Sequence, residues 1–184
     1  MFRNVIMTIL TDPHIKLRAL EPEDLDFLFQ TENNTTFWEV SSTQTPFSKF
    51  ILKQYIANAH QDIFEAKQLR LVIENKETRT AIGMIDLFDF DPQHKRAGVG
   101  ILILEKNQNK GFANNALKLL INYTFTTLNL HQLYANITSD NHKSIALFTK
   151  NKFEQVGIKK DWIFYNNTYK DELLFQLINK KKTD

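Results

Sequence analysis

The chain has 184 residues, 42% of them hydrophobic and 24% charged, a balance that supports one sizeable globular core. With 23 basic and 21 acidic residues the formal charge is only +2, which argues against a nucleic-acid footprint; the run Lys180, Lys181 and Lys182 reads as a solvated tail. The absence of cysteine excludes disulfides, thiolate metal sites and any route through an acyl-cysteine.

The opening ten residues are too short, and too interrupted by Arg3 and Asn4, for a secretory signal. Met7 is an alternative start. No apolar stretch approaches the length of a membrane span, so a cytoplasmic protein without a membrane partner is expected. Ile15, Leu17 and Ala19 alternate with Lys16 and Arg18 as a short strand does, and Glu21-Pro22-Glu23-Asp24 then marks a helix start. Leu25, Leu28 and Phe29 form one face of that helix. A second helix is predicted over Phe50, Ile51, Gln54, Tyr55 and Asn58.

From there the period changes. Gln68 to Glu74, Ile82 to Phe90 and Gly98 to Leu104 read as three consecutive antiparallel strands. A long helix follows, carrying Ala113, Ala116, Leu117, Leu120, Ile121, Thr124, Phe125 and Leu128 on one stripe. A strand from Leu133 to Thr138, a short helix from Asn141 to Lys150, and two strands joined at Asn166-Asn167 complete the order. The class is mixed α/β, with a largely antiparallel sheet flanked by helices. Five glycines and four prolines punctuate the chain without clustering, so no linker or repeat divides it.

The segment richest in chemistry is Gly98 to Leu117. An apolar strand runs through Gln108-Asn109-Lys110-Gly111-Phe112-Ala113 straight into the long helix. The first turn of a helix offers unpaired N–H groups and the positive end of the macrodipole, and small residues at 111 and 113 let a diphosphate approach. The same sequence also suits a purely structural strand-to-helix turn. Its spacing is neither G-x-G-x-x-G nor a Walker loop.

Gln108-x-x-Gly111-x-Ala113, in that setting, resembles the pyrophosphate loop of GNAT acetyltransferases. Leu128-Asn129-Leu130-His131-Gln132-Leu133-Tyr134, then Asn141-x-x-Ser144-Ile145-x-Leu147-Phe148-x-Lys150-x-x-Phe153 and Asn166-Asn167-x-Tyr169-x-Asp171, are similar to the distal half of the ribosomal-protein N-terminal and spermidine (diamine) acetyltransferase branches. The likeness covers about residues 15–178. It implies a single GNAT acyl-CoA N-acyltransferase domain over 1–184, with a short N-terminal extension and the lysine tail outside the core.

The resemblance further implies acetyl-CoA as co-substrate and a small-molecule amine or peptide N-terminus as acceptor. The cofactor arm would pair with the backbone of Ile101, Leu102 and Ile103. Gln108, Asn109, Lys110, Gly111, Phe112, Ala113 and Asn114 would surround the diphosphate; Asn141 would bond the arm, while Ser144, Phe148 and Lys150 would line the cofactor side of the short helix. Asn141 also suits a helix N-cap. Attack by the amine would be direct, as a monomer or homodimer.

Two departures stand out. Many relatives carry tyrosine where Phe148 stands, and phenylalanine has no proton for a leaving thiolate; a weak or inactive CoA-binding module is therefore the alternative reading. Lys152 stands where relatives usually have glycine before the aromatic, so a tight left-handed helix end cannot be assumed there. For the base, Asp86 and Asp89, three apart, point to opposite faces of an ideal strand. Asp89 aligns with an acidic position of the polyamine branch and is the first candidate, with Asn136 as a group that holds water or the amine. Among the aromatics near the acceptor side, Phe37, Phe47 and Phe50 suit core packing, and Trp38 beside Glu39 suits contact with an amine. The five histidines, at 14, 60, 94, 131 and 142, show no metal-ligand spacing, so no metal is expected.

Overall fold

The computed structural model describes residues 9–41 and 43–180. Most of the expected N-terminal extension and the end of the lysine tail lie outside them, as does Met7. Seven strands form one sheet in the order β1-β2-β3-β4-β5-β7-β6: β1 (Ile15–Arg18), β2 (Leu69–Asn75), β3 (Thr80–Asp91), β4 (Arg96–Ile103), β5 (Gln132–Thr138), β6 (Glu154–Tyr165) and β7 (Thr168–Ile178). Every neighbouring pair is antiparallel except β4 and β5. That pair needs a crossover, supplied by α5 (Phe112–Thr126).

Helices cover both faces. Beneath the sheet, α5 buries Ala116, Leu117, Leu120 and Thr124, the stripe read from its period. Ala116, Leu117 and Leu120 share the main core with Ile85, Leu87, Val99, Leu133, Ala135 and Phe175. α6 (His142–Lys150) adds Phe148, edge-on to Phe153 at 4.9 Å between ring centres. Above the sheet, α1 (Leu25–Glu32) and α3 (Lys49–Ala57) close on Met84 through Leu28 and Leu52. Phe47 packs there as expected, whereas Phe50 is exposed. Two single turns, α2 (Trp38–Ser41) and α4 (Ile63–Ala66), are too short for their periodicity to be read in advance.

Ion pairs join the layers. The Arg18 guanidinium bonds both oxygens of Asp24, at 2.6 and 2.8 Å, and reaches Glu74 at 2.6 Å, so β1, β2 and the start of α1 share one fork. Arg70 on β2 holds Asp86 on β3 with two bonds of 2.9 Å and Glu32 at the end of α1 at 2.6 Å, beneath the Tyr55 ring. Burial works against its charge, but Asp86 and then Glu32 more than offset that, and the guanidinium stays protonated.

The chain reverses at Asn166 and Asn167, with φ of 48° and 58°, the left-handed pair of a two-residue hairpin. Lys152 also adopts a left-handed conformation, φ 70°, which its missing glycine had left open. Its neighbour Asn151 holds the helix end: Nδ2 donates to Leu147 O at 2.9 Å and to Asn114 Oδ1 at 3.1 Å.

Gly83 marks a close approach of two backbones in the sheet. A Cβ there would lie 2.2 Å from Leu102 O, a backbone atom that cannot rotate away. Gly83→Ala is expected to destabilise the fold by about 1–3 kcal/mol, read as a lower denaturant midpoint. Gly157→Ala, whose Cβ would meet Leu174 at an ordinary 3.8 Å, should change it by less than about 0.5 kcal/mol.

Candidate active site

β4 and β5 are hydrogen-bonded neighbours only at Arg96, Ala97 and Gly98 against Gln132, Leu133 and Tyr134. Beyond that point they diverge. β4 remains paired to β3 as far as Ile103, and β5 to β7 as far as Thr138, so the edges they turn toward each other are unpaired by strands. Between them opens a cleft of about 970 Å³, within the range of small-ligand sites.

Ile101, Leu102 and Ile103 form one wall, with Ala135, Asn136, Ile137 and Thr138 opposite. At the end of β4 the wall continues into Gln108, Asn109, Gly111, Phe112, Ala113 and Asn114. Asn109 and Gly111 are both left-handed, with φ of 59° and 84°, and Gly111 contributes no side-chain cap to α5. The first-turn N–H groups therefore have no partner in their own helix, and the loop curls its backbone around the anion-attracting end of the dipole. Lys110 alone of the expected loop residues is turned away from the cleft lining; it is exposed.

Gln108 is the keystone of this corner. Its Nε2 donates to Ile103 O at 3.1 Å, and its Oε1 accepts from Lys143 Nζ at 3.1 Å. Across the opening, Asn141 caps α6 by accepting from Ser144 N at 3.1 Å, the cap role considered for it, and it also lines the cleft. Ser144, Phe148 and Lys150 line the same side. The Phe148 ring is nearly fully buried, with one side in the core and the other on the cleft.

The opposite end of the cleft is built from Thr36, Phe37, Glu39, Val40, Ile163 and Glu172. Trp38 does not line it: its indole Nε1 donates to Glu32 O at 2.9 Å and pins α2 to the end of α1. Glu39 is held by Lys170, and Glu172 by Lys159 at 2.6 Å. The cleft thus carries Lys143 and Lys150 at its α6 end, with Glu105 beside the loop, and Glu39 and Glu172 at its α2 end. Lys143, Glu172 and the Gln108 bridge were missed from sequence because only the folded chain brings them together.

Asp89 falls elsewhere. β3 slips register between Phe88 and Asp91 and Asp89 is left-handed, φ 47°, so strict alternation from Asp86 fails. Its Oδ2 accepts from Tyr134 Oη at 3.1 Å in a separate depression of about 460 Å³. Burial first, and then Asp89, push the Tyr134 phenol up to about 12, so it remains a proton donor at neutral pH. Asn136, by contrast, is exposed within the main cleft. Among the described residues no group of three or more histidines and carboxylates is placed to hold a metal ion, and no helix is long and apolar enough to cross a membrane.

A sheet split beside a strand–loop–helix anion site defines an acyl-CoA N-acyltransferase fold. The model of the acetyltransferase (GNAT) domain matches residues 14–154, and the chain belongs to that family as an N-acetyltransferase. It is 29% identical over 170 residues to the spermidine N(1)-acetyltransferase of Vibrio cholerae, covering 91% of this chain and 94% of the relative. It is 31% identical over 162 residues to the Escherichia coli K12 spermidine N(1)-acetyltransferase, covering 86% and 83%. The structure of the V. cholerae spermidine N-acetyltransferase in complex with CoA and spermine superposes with a TM-score of 0.82 at 27% identity, over 91% of this chain and 96% of that one.

Beyond its two chain neighbours no heavy atom lies within 4 Å of a Cβ built at Gly111, so substitutions there act on the loop conformation and on its ligand rather than on packing. Gly111→Glu is expected to weaken acetyl-CoA binding at least tenfold in titration calorimetry, and Gly111→Ala, which adds only left-handed strain, to weaken it less. Unchanged affinity in Gly111→Glu would remove the diphosphate from this loop.

Proposed function

We propose that the chain transfers the acetyl group of acetyl-CoA directly to a primary amine of a polyamine, within a ternary complex and a single domain spanning 1–184. The observation that carries this reading is the make-up of the two cleft ends: unpaired helix N–H groups, Lys143 and Lys150 with a single carboxylate, Glu105, at one, and Glu39 and Glu172 at the other. A diphosphate suits the first and a cationic acceptor the second. The CoA and spermine bound by the V. cholerae homologue support the same pairing, and a cytoplasmic location fits small-molecule chemistry of this kind.

The thioester supplies an activated acyl group; the chain's task is placement. The free edge of Ile101, Leu102 and Ile103 offers backbone hydrogen bonds to the pantetheine arm, with Gln108, Asn109, Gly111, Phe112, Ala113 and Asn114 toward the diphosphate, Lys110 beside them by its backbone alone, and Asn141, Ser144, Phe148 and Lys150 along the other side. Asn136 orients the amine beside the acetyl group, and Asp89 acts on its proton only through solvent. With no phenol at 148, the departing thiolate, ordinarily of pKa near 8.5, takes its proton from water. Trp162, Phe164 and Tyr169, exposed on the β6–β7 hairpin, support self-association, in line with the dodecamer described for the V. cholerae homologue.

Release of free thiol from acetyl-CoA, followed over a triamine, a linear monoamine and a peptide N-terminus, tests the reading. Turnover is expected to be fastest with the triamine, and no acetyl-enzyme should be trapped without acceptor. Tight CoA binding with no turnover on any amine would instead favour the inactive module.

A further inference from the structure

We propose that Lys170 is a specificity-determining residue: a tethered ammonium that occupies Glu39 at the acceptor end of the cleft and sets how readily a polycationic amine displaces it. This rests on the reading of the acceptor as a polyamine.

The geometry is that of a bound ligand. Lys170 stands on β7 opposite Ile163, a residue of the cleft wall. Its Nζ lies 2.5 Å from Glu39 Oε1 and 2.6 Å from Asp140 Oδ2, with the Tyr165 ring centre 5.5 Å away. Two carboxylates and an aromatic face around one ammonium are the groups expected to recognise a terminal ammonium of the substrate. Glu39 lines the cleft, and Asp140 immediately precedes Asn141, the α6 cap that lines it too. The side chains of Lys170 and Glu39 remain 20% and 21% exposed, so the pair is open to competition from solvent.

The sequence places like beside like. A tethered ammonium acts at an effective concentration on the order of millimolar, so a free amine meets a site already filled. A monoamine must present its only amino group to the acetyl carbon and has nothing left for Glu39. A triamine has further ammonium groups that reach for it. Lys170 therefore penalises polycations selectively. A strut that merely held α2 would affect both kinds of acceptor alike.

The test is the ratio of KM for a triamine to KM for a linear monoamine, measured with wild type, Lys170→Met, Lys170→Arg and Glu39→Gln, with thermal stability and CoA affinity recorded for each. Lys170→Met should lower the ratio about fivefold, the effect expected of one partly exposed ion pair, while Lys170→Arg, which keeps the bridge, leaves it near wild type. Glu39→Gln should raise it, and this arm decides the matter if Lys170→Met does not fold. A ratio unmoved in Lys170→Met, or lowered equally in Lys170→Arg, overturns the assignment while leaving the polyamine reading intact. A wild-type chain that acetylates neither amine overturns the acceptor reading and this inference with it.

Discussion

Between Val99 and Ile103 one edge of β4 has no strand beside it, and the same is true of β5 from Ala135 to Thr138. Peptide groups left without partners in a half-buried wall need water or a ligand, and the rest of the molecule is arranged around that need. The crossover through α5 forces β4 and β5 to run parallel, and their hydrogen bonding ends after three residue pairs. Two amide bridges then hold the rim of the opening: Gln108 from the end of β4 to Lys143 on α6, and Asn151 from the end of α6 back to Asn114 on α5. Preorganisation of this kind lowers the ordering cost of binding a long, flexible cofactor arm.

Electrostatics gives the opening a direction. The uncapped start of α5 and the lysines of α6 favour an anion at one end, and Glu39 and Glu172 favour a cation at the other. Both carboxylates are reached by lysines from the β6–β7 hairpin, so that hairpin is part of the acceptor end rather than a remote edge of the sheet. The buried Arg70 fork works in the same service from the other side. It fixes Glu32 at the end of α1, whose carbonyl receives the Trp38 indole and so sets where α2 presents Glu39.

The element order was legible because its signals are local. The stripe on α5, the short apolar runs of β2 to β4, the asparagine cap of α6 and the Asn166-Asn167 turn each depend on spacing along the chain. The loop from Gln108 to Asn114 was legible for the same reason, and all but Lys110 line the cleft. What escaped depends on tertiary contact or on a local break in the period. The slip between Phe88 and Asp91 carries Asp89 out to Tyr134, a displacement no alternation rule foresees. Lys152 takes the left-handed turn without glycine because Asn151, buried and bonded to both Leu147 and Asn114, holds the helix end in place. The pairing of Lys170 with Glu39 joins residues 131 apart in sequence.

The central claim is that the cofactor completes the unpaired edge of β4 and the uncapped start of α5. Amide hydrogen exchange with and without CoA measures this directly. Strong protection on binding is expected over 99–103 and 109–114, with little change at the hairpin tip around Asn166. CoA that binds while leaving exchange over 99–103 unaltered would show that the arm does not pair with β4, and would contradict the account.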